Sequence, residues 1–200
     1  MLVQRLGTER LRQAVQERYS AVARDPAGDY GFRVGREFAL ALGYPPDLLA
    51  RLPASSVARF TGVATPVFSA ALQPGERVLD LGCGAGVDTA VAAEAVGSTG
   101  RVIALDFAQA MVRQTGELVA GQHYEQVAVC QAGAEALPLP DASVDCVLVN
   151  GLFNLAPEKG RVLAEVARVT RPGGRLVAAE TVLTRPLAED EIASLDDWFR

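Results

Sequence analysis

Two hundred residues, half of them hydrophobic and 22% charged, exclude a disordered chain, a collagen-like repeat and a small disulfide scaffold. A chain of this length buries about 70% of the surface its unfolded form exposes, enough for one core and not for two. The net charge of −5 supplies no bulk positive field for nucleic acid or an anionic membrane.

The first residues scatter Arg and Glu through MLVQRLGTERLRQ, unlike a signal peptide. Leu11, Val15, Tyr19 and Val22 recur at helical spacing, with Arg12, Glu17 and Arg18 on the wet side, so residues 9–23 are predicted helical. The turn cluster at 25–29 ends that helix, and a second short one spans 36–42, stopped by Gly43 and by Pro45-Pro46. The longest uncharged run, 60–75, is broken by Gly62, Pro66 and Pro74 and falls short of a membrane span. After Pro74-Gly75 the pattern changes to short apolar runs at 77–81, 102–105, 126–130, 144–150 and 175–181. Helix-like segments at 88–96, 107–120 and 157–169 separate them, with Pro157 suited to a first helical turn. The runs are nearly continuous in apolar residues, as for strands covered on both faces. The expected fold is α/β: a doubly wound parallel sheet with right-handed crossovers behind an N-terminal helical cap. The expected division is a cap or lid over 1–72 and a ligand-binding domain over 73–200.

The glycine loop is Asp80-Leu81-Gly82-Cys83-Gly84-Ala85-Gly86-Val87-Asp88, a strand running through alternating glycines into a helix. Glycine permits a tight turn and close approach of backbone N–H groups to a ligand. The third glycine falls one residue early for a dinucleotide fingerprint, and no Lys-Ser/Thr follows as in a P-loop. Such a loop serves equally as a βα turn without a ligand, but three further strand ends point to one. Asp106 ends the second strand where a carboxylate accepts from ribose hydroxyls, Ala134-Glu135 follows the third, and Asn150 ends the fourth.

With DLGCGAG, Asp106, AEALPLPDASVD and EVARVTRPGGRL, residues 77–177 resemble the successive motifs of class I S-adenosylmethionine-dependent methyltransferases. The resemblance implies S-adenosylmethionine as cofactor. It places Asp80, Gly82, Cys83, Gly84 and Gly86 around the methionine part and Asp106 at the ribose. Phe107 and Met111 would flank the adenine, with Ala134 and Glu135 at its edge; Asn150 is also expected to contact the cofactor and, with the loop to Asn154, to line the pocket near the transferred methyl. Many relatives are acidic where this chain has Gly133, so main-chain groups are expected to serve the adenine there. The fold resembled continues past its fifth strand to a sixth and seventh, and these are missing from the expected reading of 200 residues. A truncated product, or a homodimer covering the open sheet edge near Trp198 and Phe199, is the corresponding expectation.

Two stretches resemble the arsenite methyltransferases more closely: NGLFNLAPEK at 150–159, and LGYP, LP and FTGVATP between residues 42 and 66. Val63 and Gly151 stand where that family carries cysteines. Arsenite requires soft thiolate ligands, and Cys83, Cys130 and Cys146 sit elsewhere, widely spaced, in neither a disulfide framework nor a metal-site pattern. The expected function is therefore methyl transfer to another small molecule in a reducing cytoplasm. Arsenite methylation and a non-catalytic cofactor-binding module are the alternatives. Tyr19, Gly151 and Asn154 are the expected substrate-pocket residues, with Gly151 widening the pocket and Tyr19 either closing over the cofactor or forming the rim of an amphipathic core face. No metal is expected and no general base is assigned: His123 reads as a loop residue, and Glu189-Asp190-Glu191 with Asp196 and Asp197 as a helix start and solvated face.

Overall fold

Val, Leu, Ile and Ala dominate five short runs, and in the computed structural model these form one sheet. The structure describes residues 7–182, 184, 185 and 199. The strands are β1 (Arg77–Leu81), β2 (Arg101–Asp106), β3 (Val127–Gln131), β4 (Val144–Asn150) and β5 (Thr170–Ala179), in the order β3-β2-β1-β4-β5. Every pairing is parallel, with Val78 opposite both Val102 and Cys146. Side chains alternate between two apolar clusters, as the strand period requires. Val78, Val102, Cys146 and Leu148 face one way, and Leu79, Leu105, Val147 and Val149 face the other.

The helices are α1 (Thr8–Arg24), α2 (Arg36–Leu42), α3 (Pro46–Arg51), α4 (Ala54–Val57), α5 (Pro66–Ser69), α6 (Val87–Val96), α7 (Gln109–Gly121) and α8 (Lys159–Val169). Helix α8 covers the second face through Val162, Val166 and Val169, while α6 packs on the first with Tyr44, Leu48, Leu49 and Phe60. Residues 36–69 thus share a core with the sheet. The C-terminal half of α1 sends Val22 and Ala23 against Ala108 and Met111 at the start of α7.

Several boundaries differ from expectation. The second helix ends at Leu42 with Gly43 as its C-cap, as expected, but Pro46 and Pro66 each also open a further, unexpected short helix, because an N-terminal turn does not use the missing N–H. Helix α8 starts at Lys159, two residues after Pro157, which stays in the preceding turn. Strand β5 starts at Thr170 and not at 175. Its register shifts between Val144 and Cys146 of its neighbour, around Pro172 and Gly173 at φ +79°, an irregularity tolerated in a strand that is outermost among the described residues. The acidic run 189–191, Asp196, Asp197 and Trp198 lie outside the described residues, as does the segment expected to follow the fifth strand.

Candidate functional site

The chain passes from β1 outward to β2 and β3, then crosses to β4 and β5. The strand order therefore reverses between β1 and β4, and the crevice beyond their carboxyl ends is where open α/β sheets hold ligands. A cavity of about 590 Å³ lies there. Its floor includes Leu81, Gly82, Gly84 and Leu105, and α1 roofs it with Arg12, Val15, Gln16 and Tyr19.

The glycine turn folds as its spacing demands. Gly82 at φ +81° donates its N–H to Leu105 O at 2.8 Å, and a methyl group there would meet Leu152 Cδ1 at 2.8 Å. Gly84 N–H donates to Asp106 Oδ2 at 3.0 Å, and Ala108 N–H donates to Oδ1 at 2.9 Å. The Asp106 carboxylate is thus oriented by main chain at the cavity wall. Burial pushes its pKa up to about 6, against the opposing pull of the Ala108, Gly84 and Phe107 N–H groups.

Behind the turn lies a second, smaller cavity of about 40 Å³, lined by Asp80, Cys83 and Asp88 among others. Thr89 O–H donates to Asp80 Oδ2 at 2.5 Å. Burial first, and the neighbouring Asp88 second, push Asp80 up to about 7. Burial also raises Asp88, opposed by hydrogen bonds from Tyr44 O–H at 2.5 Å and Asn150 Nδ2 at 2.9 Å. The Cys83 thiol is pushed well up by burial and then by Asp106 and Asp80, so it stays protonated.

Of the expected cofactor residues, Gly82, Gly84, Asp106, Phe107, Ala134, Glu135 and Asn150 line the large cavity, whereas Asp80 and Cys83 line only the small one. Gly86 lines neither; a methyl group on it would press Thr115 at 3.1 Å, so it serves helix packing. Met111 is a further correction: it is fully buried among Val22, Tyr30 and Ala108, not on the cavity wall. Asn150 reaches the wall, but its amide is spent internally. Its Oδ1 accepts from Val63 N at 2.7 Å and Ala64 N at 3.2 Å, and its Nδ2 donates to Ala64 O at 3.0 Å and to Asp88.

Of the expected pocket residues, Tyr19 and Gly151 line the cavity and Asn154 does not. Tyr19 stacks on Phe32 at 5.8 Å, and burial followed by the charges of Asp106 and Glu180 pushes its phenol up, leaving it neutral. Gly151 does not widen the pocket as expected, since a methyl group there would lie 3.1 Å from Val63 Cγ1. The valine takes the space. Asn154 instead belongs to a turn held by Glu180, which accepts from the N–H groups of Leu152 at 2.9 Å, Phe153 at 2.7 Å and Asn154 at 3.2 Å.

Sequence reasoning missed Arg12 and Gln16. Arg12, assigned to the wet face, donates through one nitrogen to Glu135 Oε1 at 3.0 Å and Glu158 Oε2 at 3.3 Å, and Gln16 donates to Phe107 O at 3.2 Å. Arg12, Gln16 and Tyr19 recur at i, i+4 and i+7, a polar stripe beside the apolar face that could have marked them. Among the described residues no group of three His, Cys, Asp or Glu is placed to hold a metal, and no helix is long and apolar enough to cross a membrane.

A five-stranded parallel sheet reversing at β1, with a glycine turn and an acidic β2 end, is the Rossmann-like fold of class I S-adenosylmethionine-dependent methyltransferases. The chain belongs to the methyltransferase domain family, which it matches over residues 72–200, and S-adenosylmethionine is the cofactor of that class. It is 38% identical to an arsenite methyltransferase of Halobacterium salinarum over 91% of this chain and 50% of that protein. It is 41% identical to a demethylmenaquinone methyltransferase of Lysinibacillus sphaericus over 65% of this chain and 52% of that one. The crystal structure of an arsenic(III) S-adenosylmethionine methyltransferase from Chlamydomonas reinhardtii superposes with a TM-score of 0.67 at 33% identity, covering 74% of this chain and 53% of that one. The chain thus spans about half the length of these relatives.

Proposed function

We propose that this chain is an S-adenosylmethionine-dependent methyltransferase acting on a small organic molecule. The observation that carries the reading is Asp106, a buried carboxylate held by two backbone N–H groups on the wall of a 590 Å³ cavity. The residues present fit the cofactor: a ribose acceptor in Asp106, close main-chain approach at Gly82 and Gly84, and apolar walls from Leu81, Leu105 and Ala134. When bound, the cofactor supplies an electrophilic methyl group on sulfonium sulfur. The chain's own task is to bind, align and exclude water. Asp106 accepts from the ribose, Ala134 and Glu135 stand at the adenine edge, and Tyr19 with α1 closes the cavity as part of a lid over residues 1–72. Asn150 anchors the loop carrying Val63 against the end of β4, where the acceptor sits. The three free cysteines suit a reducing cytoplasm.

Arsenite is the second reading, favoured by the names of the relatives. Against it, positions 63 and 151 face one another as valine and glycine, and the described lining of the large cavity contains no cysteine. An apolar-bodied acceptor suits that wall better than a thiophilic one. The test is calorimetric binding of S-adenosylhomocysteine followed by a transfer assay against phenols, thiols, amines and arsenite. We expect binding in the parent chain, its loss in Asp106→Ala, and turnover of an organic acceptor. Cofactor consumption that depends on arsenite and falls in Cys130→Ser or Cys146→Ser would establish the second reading. Binding without turnover of any acceptor would favour the non-catalytic module.

A further inference from the structure

Glu135 is held from one side only. Its Oε1 accepts from Arg12 at 3.0 Å, and its side chain is 13% exposed. Its Oε2 lies 3.2 Å from the point that a methyl group at Gly133 would occupy, and no hydrogen bond from the described residues reaches it. Gly133, Ala134 and Glu135 all line the large cavity, so this carboxylate stands at the cavity wall beyond the end of β3. A half-buried carboxylate with one oxygen fixed and one open is a site for an N–H donor.

The clamp comes from the roof. Arg12 sits on α1, 123 residues from Glu135 in sequence, and the same nitrogen reaches Glu158 before α8. One cation therefore ties α1 to both sides of the cavity mouth. Glu9 of α1 itself holds its other terminal nitrogen at 3.2 Å, while Glu135 and Glu158 compete for the shared one, and swinging α1 away would release Glu135 to rotate over the gap that Gly133 leaves.

We propose that Arg12 is a positioning residue for nucleoside recognition: by clamping Glu135 Oε1 it aims Oε2 at the exocyclic amino group of the adenine, so that closure of α1 and selection of a 6-amino purine are one event. This rests on the methyltransferase reading above. It moves the adenine contact from main-chain groups at 133 to a side chain placed by the lid.

The experiment compares S-adenosylhomocysteine with S-inosylhomocysteine, which carries a 6-oxo group in place of the 6-amino group, by calorimetry on the full chain. Both ligands are titrated into the same preparation of each variant, so a general loss of folded protein cancels in the ratio. The parent chain should prefer the adenosine ligand by at least about tenfold, the scale of a charge-assisted hydrogen bond. Arg12→Met and Glu135→Ala should each bring that ratio close to one. Glu158→Gln removes the other anchor of α1 and should weaken both ligands by a similar few-fold, leaving the ratio intact. A ratio unchanged in Arg12→Met would overturn the proposal while leaving the methyltransferase reading standing. Failure of the parent chain to bind either ligand would overturn both.

Discussion

Asp80 should make the fold less stable as pH rises through neutrality. Its carboxyl is buried beside Asp88, and these two conditions raise it from 3.8 to about 7 against the opposing hydrogen bond donated by Thr89. The folded state therefore holds the proton more tightly than the unfolded chain. Its contribution is fully present below about pH 4 and is lost as pH climbs through about 7. A difference of that size separates the two protonation states by about 4 kcal/mol. Asp88 is raised by the same burial and shares the penalty, so Asp80→Asn should recover about 2 kcal/mol at pH 8.5. The asparagine keeps an oxygen for the Thr89 hydroxyl and never ionises. Groups of opposite sign do not interfere: Arg175 lowers Glu76, and Arg168 with the Leu137 N–H lowers Glu165 to about 2. Their contributions are lost only as pH falls below the usual carboxylate range. The assay is urea unfolding at pH 5 and pH 8.5. The parent midpoint should be lower at pH 8.5, and Asp80→Asn should raise it there by about 1 M and by clearly less at pH 5. A parent midpoint that does not fall between those values, or a variant no more stable at pH 8.5, would refute the reasoning.

Two other outcomes follow from neighbouring groups. With Asp106 raised to about 6, affinity for S-adenosylhomocysteine should fall as pH drops below 6, since a protonated carboxyl is a poorer acceptor for ribose hydroxyls; calorimetry in the Asp80→Asn background isolates this, and Asp106→Asn should bind weakly with no such dependence. Asn150→Ala strands the N–H groups of Val63 and Ala64 and strips a donor from Asp88. It should cost about 3 kcal/mol in urea unfolding and raise the acceptor KM while leaving S-adenosylhomocysteine affinity within a few-fold. Lost cofactor affinity with unchanged stability would show that its amide serves the cofactor after all.

The strands were legible because burial on both faces leaves a strong signal: Val144–Asn150 is apolar at five of its seven positions, and the glycine turn announces where β1 ends. Helices α3 and α5 were not, since proline is both a stop and a start, and only the tertiary position of Pro46 and Pro66 decides between them. Asp106 could be placed from local order along the chain. Arg12 could not, because its partners are 123 and 146 residues away. Nor did spacing reveal that Met111 turns into the core, or that Asn150 is consumed by the loop at 63–64. A side chain's identity at a strand end shows what it can bond; its neighbours across the fold determine whether the bond is still free.

The two ends of the cavity are held by different physics. Toward Val63 and Gly151 the framework is buried: Tyr44, Asp88 and Asn150 exchange hydrogen bonds away from water, where breaking any one leaves an unpaired polar group. Toward Glu135 the hold is an arginine whose side chain remains 32% exposed, shared among Glu9, Glu135 and Glu158. Such pairs contribute about 0–1 kcal/mol each and weaken with salt. Methyl transfer is sensitive to small misalignment of nucleophile, carbon and sulfur, so rigidity belongs at the acceptor end. In the proposed reaction, cofactor and spent product must come and go on every turnover, which suits the solvent-exposed ion pairs on α1. The C-terminal half of α1 packs Val22 and Ala23 against Met111, and its N-terminal half buries Leu11 and Val15, so opening the cavity must expose those two side chains as well as break the Arg12 and Gln16 contacts.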